Sequence, residues 1–132
     1  MTLRHFLTDL RKRHIFNDFE YNRISKEWGD GVSLDLISQK EVLSYILKGN
    51  AVVIDLRDTM AFEERHIPGA VSMPYDEFDE EAAMLKAYAV LILCCERGAA
   101  SLQIGRRLSE KGYHVLSLVG GMEFWKGPTI SQ

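Results

Sequence analysis

Apolar residues along the chain fall into short, β-branched runs separated by stretches of helical spacing, the alternation expected of strands and helices around a mainly parallel sheet. The runs "VSLDLI" at 32–37, "AVVIDL" at 51–56, "AVSM" at 70–73, "AVLILC" at 89–94 and "HVLSLV" at 114–119 predict five strands. The central runs are apolar at successive positions, which predicts burial on both faces. Between the first two, "SQKEVLSYILKGN" predicts a helix with both ends marked. Ser38 is its N-cap, Glu41 the capping-box partner three residues on, and Gly49 follows the last apolar turn. A second helix is predicted in "AASLQIGRRLSEKGYH", where Leu102, Ile104 and Leu108 share a face, Arg106, Arg107, Glu110 and Lys111 lie largely elsewhere, and Gly112 stops it. "YDEFDEEAAML" at 75–85 concentrates acid at a predicted helix start, where it complements the dipole as a solvated cap. The predicted fold class is α/β: a mainly parallel five-stranded sheet flanked by helices.

Residues 1–31 follow a different pattern and predict a helical extension ahead of a domain at 32–132. Leu3, Phe6, Leu7 and Leu10 stand at helical spacing, a basic "RKR" follows at 11–13, and then comes the aromatic, unpatterned "IFNDFEYNRISKEWGDG". An apolar helical stripe packs by default on its own domain. The second reading is a docking or homodimerisation arm, because Phe6, Phe16, Phe19 and Trp28 would otherwise form a large exposed apolar patch.

Composition narrows the function. The 132 residues, 46% hydrophobic, supply one core, and 16 basic against 19 acidic residues leave a net charge of −3. Such a balance argues against nucleic acid or anionic lipid as partner. No apolar run approaches the roughly 18 residues of a membrane span, and residues 1–13 lack the apolar core of a signal peptide. Asp9 and Asp18 run against an organelle-targeting peptide. A cytoplasmic protein without membrane partners is expected. The two cysteines, Cys94 and Cys95, are adjacent and so tie no distant segments together, which fits a reducing compartment.

The candidate chemistry lies in "LCCERGAAS" at 93–101, which joins a predicted strand directly to a predicted helix. Cys95 falls at the carboxyl end of the strand, where open α/β sheets bind their ligands. Gly98 supplies a positive φ, and the small Ala99 and Ala100 let the backbone curl so that several N–H groups converge on one centre. Those groups and the positive end of the helix favour thiolate over thiol at Cys95. Ser101 caps the helix or donates one more hydrogen bond to this cradle. Arg97 adds positive charge at the mouth, and Glu96 opposes it with a side chain expected to point outward. Read blandly, Cys95 is a small buried hydrophobe at a strand end. Cys94 belongs to the strand's alternation and reads as packing, with a resolving thiol as its alternative. Asp55 and Arg57, ending the second strand, are expected to tie loops together, with Arg57 bordering the pocket. His66 is expected to hydrogen-bond a buried loop beside the Pro68–Gly69 turn, and Phe124 and Trp125 of "GGMEFWKG" to pack the end that follows the last strand, with a place on the pocket rim as the alternative for one of them.

Four stretches together resemble the single-domain rhodanese-like sulfurtransferases: "VVIDLRD" at 52–58, "AFEERHIPGAVSMPYDEF" at 61–78, "CERGAAS" at 95–101 and "GYHVLSLVGGMEFWKG" at 112–127. The resemblance covers roughly residues 33–127. It implies a rhodanese-like fold in which Cys95 is the catalytic nucleophile. That thiolate takes a sulfane sulfur from a donor such as thiosulfate or a persulfide, holds it as a persulfide, and passes it to a thiol or protein acceptor. By match to the family's loop, the backbone amides of Glu96, Arg97, Gly98, Ala99 and Ala100 form the cradle; Ser101 and Arg57 beside it, and Arg97 drawing the donor, are readings of the residues themselves. No metal or organic cofactor is implied. Many members carry an arginine, serine or threonine just before or at position 101, whereas Ala100 offers no side-chain donor, which leaves the choice of donor open. The scaffold also resembles cysteine-based phosphatases and arsenate reductases. Their loop is one residue longer and closed by an arginine, yet here the closing position is Ser101 and the next arginine is Arg106. The remaining reading is a non-enzymatic sulfur-relay or redox-sensing module that docks through the N-terminal arm.

Overall fold

The run richest in apolar residues becomes the middle of the sheet. In the computed structural model, which describes residues 35–118 and 120–132, the strands are β1 (Asp35–Ile37), β2 (Ala51–Asp55), β3 (Val71–Ser72), β4 (Val90–Cys94) and β5 (Val115–Leu118). They lie in the order β1-β5-β4-β2-β3. β2 pairs in parallel with both β3 and β4, and β4 in parallel with β5. Each predicted run therefore contains a strand. The predicted extension at 1–31, with its docking and dimerisation readings, lies outside the described residues.

Helices α1 (Gln39–Lys48), α2 (Thr59–Glu64) and α3 (Ala99–Glu110) connect the strands. All five positions of β4 are buried, and period-two alternation divides them between two cores. Ile92 and Cys94 face Val53, Leu116 and Leu118 together with Val42 of α1 and Trp125. Leu91 and Leu93 face Val52, Ile54 and Val115 together with Ile104 and Leu108 of α3. Cys95, the residue after β4, continues the second set.

The helix ends follow from the residues that occupy them. At α1 the Ser38 hydroxyl accepts the Glu41 N–H while the Glu41 carboxylate accepts the Ser38 N–H, the reciprocal capping box, and Gly49 closes the helix at φ +77°. α2 was not marked by periodicity, since it is only six residues long; its signal is Asp58, whose carboxylate accepts the Ala61 N–H at 2.8 Å. The helix expected to start within 75–85 is not an α-helix. Two 3-10 turns, Tyr75–Glu77 and Ala83–Ala87, stand there instead. Asp79 explains the break, because its carboxylate accepts the Glu81 N–H at 2.9 Å and holds a turn where helical bonding would have to continue. The acids are not a free cap either: Glu80 pairs with Arg107 and Lys111 of α3, and Glu81 with Lys111.

The topology directs attention to one edge. From β2 the chain proceeds outward to β3, and from β4 it proceeds the other way to β5, so the switch point lies between the carboxyl ends of β2 and β4. Arg57 and Cys95 follow these two ends. No helix among the described residues is long and apolar enough to cross a membrane.

Candidate active site

The loop after β4 turns at Gly98, whose φ of +104° is open to glycine and strained for other residues. Gly98 is also the N-cap of α3, with no side-chain cap bond. Ser101 is therefore not the cap; it is the third residue of the helix. The Gly98 N–H donates to the Cys95 sulfur at 3.0 Å. The amides of Ala99, Ala100 and Ser101 belong to the first turn of α3, where no preceding helical carbonyl exists to accept them. They form the positive end of that helix beside the sulfur. Cys95 itself is 4% exposed, packed against the α3-side core yet hydrogen-bonded at its sulfur.

The peptide planes of the loop are oriented from outside it. The Cys95 carbonyl accepts the Met122 N–H at 2.7 Å and the Glu96 carbonyl accepts the Glu123 N–H at 2.9 Å. In a trans peptide the N–H points opposite to the C=O. Fixing these two carbonyls on the turn after β5 consequently aims the Glu96 and Arg97 amides away from that turn. Gly121 makes the approach possible: a Cβ built there would meet the Cys95 carbonyl oxygen at 2.4 Å, and its φ is +64°. This clamp was not predicted from the sequence, which suggested only packing by Phe124 and Trp125. Trp125 is buried at 4% exposure, whereas Phe124 is 40% exposed.

A second missed residue is Ser117. It sits on β5 in register with Leu93, on the Cys95 face of the sheet. Its hydroxyl lies 2.7 Å from the Ser101 hydroxyl. Ser101 in turn donates to the Gly98 carbonyl at 3.0 Å, and the Cys95 thiol reaches the Ser101 oxygen at 3.7 Å. Both serines are buried. The only signal in the sequence is a lone hydroxyl inside an otherwise apolar strand, and nothing local says what it meets.

The charged residues frame the loop rather than fill it. Arg57 is buried, its Nε and Nη2 on the Asp55 carboxylate at 2.8–3.3 Å and its Nη2 also on the Arg65 carbonyl at 2.7 Å. Burial opposes the charge on Arg57, but the hydrogen bond and charge of Asp55 outweigh it and raise the guanidinium above its ordinary value. Its link to the loop is Glu96, whose carboxylate is 3.8 Å away and whose side chain is 59% exposed, outward as expected. Arg57 thus ties the end of β2 to the segment before β3, as expected, and it stands on the Cys94 side. Arg97 lies at the rim with its Nε 3.6 Å from Glu123, both side chains nearly half exposed. His66 is buried, but its ring bonds a helix rather than a loop: Nδ1 is 2.7 Å from the carbonyl of Phe62 on α2. Cys94 is fully buried across from Asp55 on the opposite face of the sheet from Cys95.

The arrangement can hold a sulfur anion: one thiol, the Gly98 N–H donating to it at the start of α3, and a hydroxyl pair within reach of it. No group of described residues has a metal-binding arrangement of histidine, cysteine and carboxylate side chains.

Comparison with known proteins gives the same direction. A family model for the rhodanese-like domain matches residues 38–128. The chain is 31% identical over 91 residues to thiosulfate sulfurtransferase GlpE of Coxiella burnetii, covering 68% of this chain and 85% of that protein. It is also 31% identical over 78 residues to the provisionally named sulfur carrier protein YrkF of Bacillus subtilis, covering 58% of this chain and 42% of that one. Among solved structures, a Bacillus halodurans protein matches with a TM-score of 0.64 at 25% identity, over 88% of this chain and 87% of that one. A rhodanese-related protein of Thermoplasma volcanium shares the fold, with a TM-score of 0.66 at 20% identity over 74% and 99%.

Proposed function

The chain belongs to the rhodanese-like domain family, and from that premise we propose that it moves a sulfane sulfur from a donor such as thiosulfate or a persulfide to a thiophilic acceptor, with Cys95 as the carrier. The Cys95 thiolate attacks the outer sulfur of thiosulfate, the donor's S–S bond breaks, and sulfite leaves with the electron pair. The product is a persulfide whose negative charge rests on the terminal sulfur. An acceptor thiolate then attacks that sulfur, and Cys95 departs as a thiolate, ready for another cycle. A reducing, cytoplasmic setting keeps the thiol available.

The observation that carries this reading is the hydrogen bond from the Gly98 N–H to the Cys95 sulfur, in a loop whose carbonyls at 95 and 96 are held elsewhere. A donor already aimed at the sulfur stabilises charge there without reorganising during reaction. Glu96, Arg97, Gly98, Ala99 and Ala100 contribute through their backbone, and Ser101 through its hydroxyl. Arg57 acts as a support for the loop through Asp55 and Glu96, and Arg97 meets the donor at the rim. The chemistry needs no metal or organic cofactor.

A non-enzymatic sulfur-relay role is the second reading, favoured by the similarity to YrkF; it differs in taking sulfur from a protein persulfide and never from thiosulfate. A phosphatase reading is disfavoured, because the position where a clamp arginine would close the loop holds buried Ser101, and Arg106 pairs with Glu110 along α3.

Intact-mass measurement after incubation with thiosulfate tests the proposal. The expected gain is about one sulfur, ~32 Da, retained by Cys94→Ser and abolished by Cys95→Ser. Loss in Cys94→Ser with retention in Cys95→Ser would reverse the two roles. Loading from a persulfidated protein but not from thiosulfate would select the relay reading.

A further inference from the structure

The hydroxyl pair behind Cys95 has more acceptors than protons. Ser101 owns one proton and has three atoms within reach: the Gly98 carbonyl at 3.0 Å, the Ser117 oxygen at 2.7 Å and the Cys95 sulfur at 3.7 Å. While Cys95 is a thiol, its own S–H points to the Ser101 oxygen and Ser101 is free to donate to Gly98. Once the sulfur carries charge, the favourable arrangement turns the Ser101 proton toward the sulfur, since bonds to an ionised acceptor are roughly twice as strong as neutral ones. The Gly98 carbonyl is not orphaned by that turn, because it also accepts the Leu102 N–H at 3.2 Å. Ser117 then donates to Ser101, and a chain of two hydroxyls polarises toward the sulfur.

We infer that Ser117 is a positioning residue for sulfur transfer: acting through Ser101, it stabilises Cys95 as a leaving group when the persulfide is discharged. The inference rests on the persulfide reading above and assigns the two donor sets to two sulfur positions. The loop amides other than that of Gly98, which already donates to the Cys95 sulfur at 3.0 Å, serve the charge on the terminal sulfur. The Ser117–Ser101 pair serves the Cys95 sulfur itself, which is neutral in the persulfide and regains its electron pair as the acceptor takes the outer atom. The two half-reactions respond unequally. Stabilising a thiolate increases its abundance but lowers its nucleophilicity, so the effects offset during loading, while for a departing thiolate the stabilisation acts undivided.

The experiment uses the full chain as wild type, Ser117→Ala and Ser117→Thr. Each protein is loaded with thiosulfate, freed of excess donor, and chased with dithiothreitol, with the persulfide followed by intact mass through both phases. Ser117→Ala is expected to slow discharge by about three- to tenfold, the effect of one hydrogen bond, while loading changes by less than about twofold. Ser117→Thr, which keeps the hydroxyl, restores discharge. Unchanged discharge in Ser117→Ala, or loading and discharge slowed alike, as general disruption would produce, overturns the inference. A wild-type protein that never gains sulfur instead defeats the persulfide reading, a separate result.

Discussion

Burial pushes the Cys94 thiol well above its ordinary value, with the charges of Asp55 and Cys95 adding to the effect and Arg57 opposing it. Folding thus favours the neutral thiol. The stability this contributes is fully present below the unfolded value, near 8.5, and is lost as pH rises beyond it toward the higher folded value, at up to about 1.4 kcal/mol per pH unit. Urea unfolding from about pH 8 to about pH 10 should therefore lose stability more steeply in the wild type than in Cys94→Ala. Identical slopes would show that Cys94 is not enclosed. The contrast between these neighbours was legible in the sequence, because strand alternation sends successive side chains to opposite faces and the glycine turn marks which one leads into the loop. Ser101 was legible only as a candidate, since its choice between cap and cradle depends on where the helix begins. Ser117 was not legible, because its partner is 16 residues away on another element.

At the scale of elements, the site is a β4–α3 loop gripped by the turn that follows β5. Two glycines allow it for different reasons. Gly98 needs its positive φ but has open space around it, whereas Gly121 combines a positive φ with backbone packed at van der Waals limits against Cys95 and Glu96. Gly98→Ala should cost about 1–2 kcal/mol, the penalty of a left-handed alanine. Gly121→Ala should cost more, because carbonyls held in the clamp have to move. Urea midpoints of the two variants check the order, and equal losses would mean the clamp is soft. Helix α1 was readable to its caps, since Ser38, Glu41 and Gly49 act within their own neighbourhood. The 75–85 segment was misread because acid near an apolar run has two uses, capping a helix or pairing with one, and the bases it meets, Arg107 and Lys111, lie on α3.

For the whole molecule, the strand order places Cys95 at the crevice where an α/β sheet binds its ligands, and the −3 net charge gives no general attraction for an anionic donor. On the proposed reading, capture of such a donor falls to local donors at the loop. Fold class and the five strand positions were legible because period-two burial and glycine punctuation are local properties. The clamp and the hydroxyl pair were not, since they join residues that only the sheet order brings together. The claim on which the account turns is that one cysteine of the pair carries the sulfur. Tryptic cleavage after Lys86 and Arg97 leaves Cys94 and Cys95 in a single peptide, so fragment ions that separate the two residues decide the matter. After thiosulfate treatment the added sulfur is expected on Cys95, with Cys94 unmodified; sulfur found on Cys94, or on neither, would contradict the account.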